Sequence, residues 1–269
     1  MPKRPAAYHR PDNLDEALRY LSQPDTAPLA GGTALLAREE GVPLAAVVDL
    51  QDLGLDQISL EDECLSIGAT ISLANLDQHL AAQLGMASAT PLLRQAIAAA
   101  GPNTYRNAAT LGGICASRLP DSELLATLLV LEAELIIRTP AVARRALGRY
   151  LHDDAQAKGL ITEIIIPWVT GHGASVRVAR TPKDYPIVSI TAWKPAAGSI
   201  RLAATGIGEK PQRLTSAESA LQAGQDEDAI AEAAIAASAA TMHPGDFRGD
   251  TRYRADMAAV LTRRVLQEL

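Results

Sequence analysis

Apolar residues at helical spacing open the chain. Leu14, Ala17, Leu18 and Leu21 follow Pro11-Asp12-Asn13, which predicts a capped amphipathic helix over 14–21. Ala27–Ala30 reads as a short strand running into Gly31-Gly32, Leu35 to Glu40 as a short helix stopped by Gly41, and Ala45–Leu50 as a buried strand. Ile58–Leu60 and Cys64–Ile67 flank Glu61-Asp62-Glu63 in the pattern of a hairpin. Helices are predicted over Ser72–Leu80, over Pro91–Ala100 with Gly101-Pro102 as its stop, and over Ser122–Leu131, where Ser122 or Asp121 can cap. Glu134–Arg138 and Ile161–Ile166 are apolar strands linked by Thr139–Gly159. Pro167, Gly171 and Gly173 mark a boundary, giving domains 1–168 and 174–269. Beyond it Ala174–Arg180, Ile187–Trp193 and Ile200–Thr205 alternate as an antiparallel meander, and helices over Asp226–Ala240 and Thr251–Leu269 cover one of its faces.

Two stretches interrupt this pattern with the same grammar. Ala30-Gly31-Gly32-Thr33-Ala34-Leu35 follows the strand at 27–30, and Thr110-Leu111-Gly112-Gly113-Ile114 follows Arg106-Asn107-Ala108-Ala109. Adjacent glycines let backbone N–H groups turn toward a ligand with no Cβ in the way, an arrangement suited to an anion and above all to a phosphate. Either stretch alone reads better as an ordinary tight turn. Together, each with a threonine beside the pair, they read as two loops closing on one diphosphate. Gly32→Val and Gly112→Val are then expected to abolish binding in a chain that stays folded. The strand–glycine–helix order lacks G-x-G-x-x-G, so a Rossmann reading is disfavoured.

Composition narrows the picture. With 48% hydrophobic residues but only 3% aromatics and a single phenylalanine, Phe247, the core must be packed from small side chains, alanine above all. A net charge of −6 without basic clusters argues against nucleic acid and anionic membrane as partners. Arg144, Arg145 and Arg149 can hold a partner chain or form a solvated face. No apolar run is long enough for a membrane span, and Met1-Pro2-Lys3-Arg4-Pro5 leads into no export signal. Cys64 and Cys115 are too few for an iron–sulfur cluster and suit a reducing, cytoplasmic setting. His9, His79, His152, His172 and His243 have no metal-ligand spacing, and no catalytic nucleophile–base order is present.

The two glycine stretches, taken with other segments in order, resemble the FAD-binding medium subunit of the molybdenum hydroxylases, the xanthine dehydrogenase and carbon monoxide dehydrogenase family. Those segments are Tyr8-His9-Arg10-Pro11, Val48-Asp49-Leu50, Leu65 to Ile71, Asp184-Tyr185-Pro186-Ile187-Val188-Ser189, and Tyr253-Arg254 with Leu261-Thr262-Arg263-Arg264. The resemblance covers almost the whole chain. It implies an α+β fold: a two-lobed PCMH-type, vanillyl-alcohol-oxidase-like FAD-binding domain, then a small C-terminal α/β domain with antiparallel sheet and helices.

It also implies an oxidoreductase subunit whose flavin takes electrons from an iron–sulfur subunit, fed by a molybdopterin subunit, and passes them to NAD or another acceptor. FAD is expected in this chain, and molybdopterin and the 2Fe-2S centres only in its partners. The cofactor-binding residues implied are Ala30, Gly31, Gly32, Thr33, Ala34, Leu35, Gly101, Thr110, Leu111, Gly112, Gly113, Ile114, Glu123, Arg177 and Asp184, with Glu123 accepting from a ribose hydroxyl. No catalytic or metal-binding residue is expected, and the lone chain is expected to be inactive on an organic substrate. The family carries Asn where this chain has Ile114, Asp at Glu123 and Lys at Arg177. Ile114→Asn is therefore expected to tighten FAD. The alternative is a degenerate flavin-domain scaffold that binds FAD weakly or not at all.

Overall fold

The computed structural model describes residues 5–37, 44–84, 89–153, 159–222 and 224–269. The chain runs β1 (Ala7–His9), α1 (Leu14–Leu21), β2 (Thr26–Leu29), β3 (Ala46–Asp49), β4 (Ile58–Glu61), β5 (Cys64–Gly68), α2 (Leu73–His79), α3 (Thr90–Ala99), α4 (Asn103–Ala108), α5 (Leu111–Ser117) and α6 (Glu123–Val130). It continues with β6 (Glu134–Arg138), β7 (Val142–Ala146), α7 (Leu147–His152), β8 (Leu160–Pro167), β9 (Gly171–Val178), β10 (Val188–Pro195), β11 (Arg201–Thr205), β12 (Gln212–Arg213), α8 (Thr215–Ala220), α9 (Glu227–Ala239) and α10 (Thr251–Gln267). These elements form two compact units that interleave along the chain. One comprises 1–78, 102–117 and 134–166, the other 79–101, 118–133 and 167–269.

The first unit holds two sheets. In the smaller, β1 and β2 pair in parallel on either side of β3, which is buried throughout. α1 begins where Asn13 accepts a hydrogen bond from the Glu16 N–H, and its Ala17 packs with Val48, Leu50 and Leu160 in a small core. Half of the predicted helix over Leu35–Glu40, residues 38–40, lies outside the described residues; 33–37 form a turn. The larger sheet has the order β4-β5-β8-β6-β7. Its hairpin turns through Asp62 and Glu63, both at positive φ.

The predicted link over 139–159 contains structure that its polar pattern hides. β7 pairs with β6, and Arg144 and Arg145 are ion-paired with Glu134 and Asp153, so both already have partners within the chain.

The second unit is built on the sheet β12-β11-β10-β9, antiparallel throughout as the alternation predicts. β10 is buried at seven of its eight positions because both α10 and α6 pack against it. Alanines fill the narrow spaces: Ala233 and Ala237 of α9 and Ala258 of α10 are fully buried in a core with Leu261, Val265, Ile190 and Leu202. Here the scarcity of aromatics becomes close helix-on-sheet packing.

Arg254 is the polar centre of this unit. It is fully buried and donates to the carbonyls of Ile187 (2.6 Å), Gly206 (2.8 Å) and Gly249 (3.1 Å) and to Asp246 Oδ1 (2.6 Å). One guanidinium thus gives donors to the carbonyls of the buried Ile187 and Gly206 and adds a second donor to Gly249 O, which also accepts from the Asp246 N–H.

Candidate functional site

The first glycine stretch leaves β2 at Leu29, opposite Asp49 of β3, and Gly32 turns it with φ +71°. A residue with a Cβ pays roughly 1–2 kcal/mol in that left-handed region, so the conformation asks for glycine. Gly31 is glycine for a different reason. A Cβ there would lie 1.6 Å from the Ala108 carbonyl oxygen. The two stretches therefore meet within the first unit, Gly31 against Ala108 and Ala109. The turn closes where the Leu36 N–H donates to Gly32 O at 2.9 Å. The N–H groups of Gly31, Gly32, Thr33, Ala34 and Leu35 make no backbone hydrogen bond among the described residues. Such a run of unspent donors is a chemical match for an anion with several oxygens. Ala34 is exposed, while Ala30, Gly31, Gly32, Thr33 and Leu35 are half-buried.

The second stretch is not a loop. Leu111, Gly112, Gly113 and Ile114 form the first turn of α5, and their donors are all engaged. The Leu111 N–H donates to Ile71 O (3.1 Å) and Gly112 N–H to Ala69 O (2.8 Å). Gly113 N–H donates to Thr110 Oγ1 (3.2 Å), and Ile114 N–H to Thr110 O (2.9 Å). Thr110, 6% exposed, thus caps the helix. A Cβ on Gly112 would stand 2.6 Å from Ala69 Cβ and 2.8 Å from Ala69 O. This overturns the expectation that Gly112→Val leaves the chain folded, because its glycine is set by packing.

Ile114 is 5% exposed and sits in the interior with Leu111 and Cys115. That overturns the expectation that Ile114→Asn tightens FAD, because the new amide would be buried in the core. Gly113 alone of the four faces solvent. Burial pushes the Cys115 thiol up to about 12, so it is no nucleophile at neutral pH. Arg106 of α4 bonds Asn103 through Nη2, and its buried Nε has no partner among the described residues.

In the second unit three candidates come together. Ser122 caps α6 by accepting from the Leu125 N–H (3.3 Å), which puts Glu123 in the first turn at 8% exposure. Arg177 of β9 donates to Glu123 Oε2 at 2.9 Å and, through Nη2, to the Asp184 carbonyl. Burial pushes the Glu123 carboxyl up, Arg177 opposes that, and Asp121 adds to it. Gly101, after α3, adopts φ +152°, where glycine is favoured. No group of three metal-ligating side chains occurs among the described residues. Ala69, Ile71 and Ala108, which fix the two glycine stretches, were not among the expected site residues. Their only sequence signal is the small-residue run Gly68-Ala69-Thr70 and the alanines before Thr110.

Two α/β units, with an amide-lined glycine turn after β2 packed against the start of α5, form the frame that the family match covers. Residues 4–169 match the family described as the FAD binding domain in molybdopterin dehydrogenase, and 177–269 match the CO dehydrogenase flavoprotein C-terminal domain; the chain belongs to this family of FAD-binding medium subunits.

Among curated relatives, the glyceraldehyde dehydrogenase medium chain of Sulfolobus acidocaldarius is 28% identical over 98% of this chain and 98% of its own length. The carbon monoxide dehydrogenase medium chain of Afipia carboxidovorans is 27% identical over 97% of this chain and 95% of its own. Among solved structures, reconstituted CO dehydrogenase from Oligotropha carboxidovorans superposes with TM-score 0.89 at 26% identity, over 99% of this chain and 98% of that one. Quinoline 2-oxidoreductase from Pseudomonas putida 86 gives 0.86 at 25% identity, over 100% and 98%. The expected α+β fold, an FAD-binding domain followed by a C-terminal domain, is the fold of these chains.

Proposed function

We propose that this chain is the electron-transfer subunit of a cytoplasmic molybdenum hydroxylase. It takes electrons from an iron–sulfur subunit, supplied in turn by a molybdopterin subunit, and passes them to NAD or another acceptor. The observation that carries the reading is the turn Gly31–Leu35, whose donors have no backbone partners among the described residues, in a chain of the FAD-binding family. The medium-chain names of the relatives support a multi-subunit setting, and two free cysteines with no metal-ligating cluster among the described residues support placing the clusters elsewhere. The proposal keeps the domain limits 1–168 and 174–269.

Bound FAD supplies the redox chemistry, so no acid–base pair is required of the protein. Ala30 to Leu35 offer backbone donors to a diphosphate. Thr110, whose oxygen accepts from Gly113, still has a hydroxyl proton to donate. Leu111, Gly112 and Ile114 hold that surface in place, and Gly113 leaves it bare. Gly101 shapes the chain after α3. Glu123, fixed by Arg177 and so by the Asp184 carbonyl, is a carboxylate able to accept from a hydroxyl.

The test is purification of the chain with its co-purifying partners. The expected result is a visible flavin spectrum, release of FAD on denaturation, and reduction by an organic substrate only when the partners are present. A partner-free chain that oxidises a purine or an aldehyde with a simple acceptor overturns the reading. The scaffold reading draws support from the engaged donors of α5 and the buried Ile114. An assembled complex without flavin would favour it.

A further inference from the structure

We infer that the outward face of α9 and the loop after it dock another protein chain, through an amphipathic helix of that chain whose apolar stripe ends in lysines or arginines. The inference concerns the second unit alone and does not depend on bound flavin.

Three of the four most exposed large apolar side chains among the described residues stand on this one stretch: Ile235 at 65%, Met242 at 80% and Phe247 at 85%. A single exposed apolar residue is ordinary, whereas several on one helix and its loop mark a contact surface. The alanines of α9 produce it. Ala233, Ala234 and Ala237 are buried, so Ile235 turns away from the core, and Ala231 and Ala239, four residues to either side, share its face. From Ala233 to Met242 no residue is charged. The loop that follows is fixed within the chain. The Met242 and His243 N–H groups both donate to Ile207 O (2.7 and 2.9 Å), and the Thr251 hydroxyl donates to His243 O (2.9 Å). Both neighbours of Phe247 are pinned, Asp246 by Arg254 and Arg248 by Asp121. Phe247 therefore reaches water from a backbone with little left to order, which lowers the entropy cost of docking.

Charge selects the occupant. Glu227, Asp228 and Glu232 stand exposed in the first half of α9 and make no ion pair among the described residues. A helix laid antiparallel on α9 brings its own last turn to these carboxylates, where lysine or arginine also suits its dipole. A second copy of this chain fits badly. In a symmetric pair centred on Ile235, Asp228 of each copy, seven residues before the centre, falls opposite Met242 of the other, seven after it. Each carboxylate would lose water against an apolar side chain and gain no cation.

The test is fluorescence anisotropy on the full chain with two synthetic helical peptides. Both carry leucines at i, i+3, i+4 and i+7; one has lysines in its last turn and the other glutamates. The lysine peptide is expected to bind about tenfold more tightly, with a preference that fades as salt rises. Asp228→Lys with Glu232→Lys, which spares the cap at Asp226, is expected to reverse the preference. Ile235→Glu is expected to weaken the lysine peptide about tenfold or more and to leave the far-ultraviolet circular dichroism unchanged. Met242→Glu, placed beyond the helix, is the second variant should the first misfold. Sedimentation of the chain alone tests the other occupant. A dimer that Ile235→Glu breaks assigns the face to a second copy and overturns the inference. So does failure of the lysine peptide to bind, equal binding of the two peptides, or binding that the variants leave intact.

Discussion

Arg177→Met is expected to destabilise the second unit by about 2–4 kcal/mol at neutral pH. Removing one partner of a buried ion pair typically costs ~3–5 kcal/mol, because it strands the other charge. Here Glu123 is the stranded group, its side chain 8% exposed, while Arg177 keeps 25% of its own, which trims the figure. The pH dependence gives the sign. The Glu123 carboxyl already lies above its ordinary 4.5, chiefly through burial, and loss of Arg177 raises it further. A carboxyl with a raised folded pKa contributes fully below its unfolded value, and that contribution is lost as pH rises through the folded value. The deficit of Arg177→Met should therefore be small near pH 4 and grow toward pH 7. Adding Glu123→Gln should recover most of it. Glu123→Gln alone should cost little, since Arg177 is partly solvated and keeps the Asp184 carbonyl. Urea midpoints at several pH values, with unchanged slopes, measure all three variants. A deficit that does not vary with pH, or that Glu123→Gln fails to repair, refutes the stranded-charge argument.

Ile114→Asn should lower stability by about 3 kcal/mol, from lost apolar burial and a buried amide, and thermal melting should fall without any tighter flavin. Gly31→Ala should be far more damaging than Gly32→Ala. The first meets the Ala108 carbonyl oxygen at 1.6 Å, while the second meets only the Leu29 and Leu36 side chains at 3.3 Å and pays roughly 1–2 kcal/mol for its φ; soluble yield and melting temperature separate them. Acid unfolding should report on Asp246. Burial disfavours its charge, yet hydrogen bonds from the Arg248 N–H and from the Arg254 and Arg248 side chains hold its carboxyl well below the usual range. Its contribution is present above about pH 4 and lost as pH falls further, so Asp246→Asn should shift the acid-unfolding midpoint upward and flatten its pH dependence.

The parts of the fold that declared themselves were those where local pattern and tertiary packing agree. α1 runs from Leu14 to Leu21 with Asn13 as its cap, and the meander after Gly171 pairs antiparallel strand by strand as its pattern predicts. The parts that stayed hidden are held by partners distant in sequence. β7 is a polar strand whose pairing with β6 comes with an Arg144–Glu134 ion pair, and nothing in Val-Ala-Arg-Arg-Ala announces that. α5 carries two poor helix formers in its first turn, and it persists because Ala69 and Ile71 supply acceptors for its first donors and Thr110 caps it.

The same division runs through the candidate site. Gly32 was legible, because a positive φ asks for glycine from the residue itself. Gly31 and Gly112 were not, because what they avoid is the backbone at Ala108 and the side chain and carbonyl of Ala69. A Gly-Gly-Thr and a Thr-Leu-Gly-Gly look alike in sequence yet answer to conformation in one case and to close packing in the other. A motif can therefore persist for the fold it builds after its donors have found other acceptors. Ile114 fits that view: its N–H is engaged by Thr110 O, and its side chain joins the core.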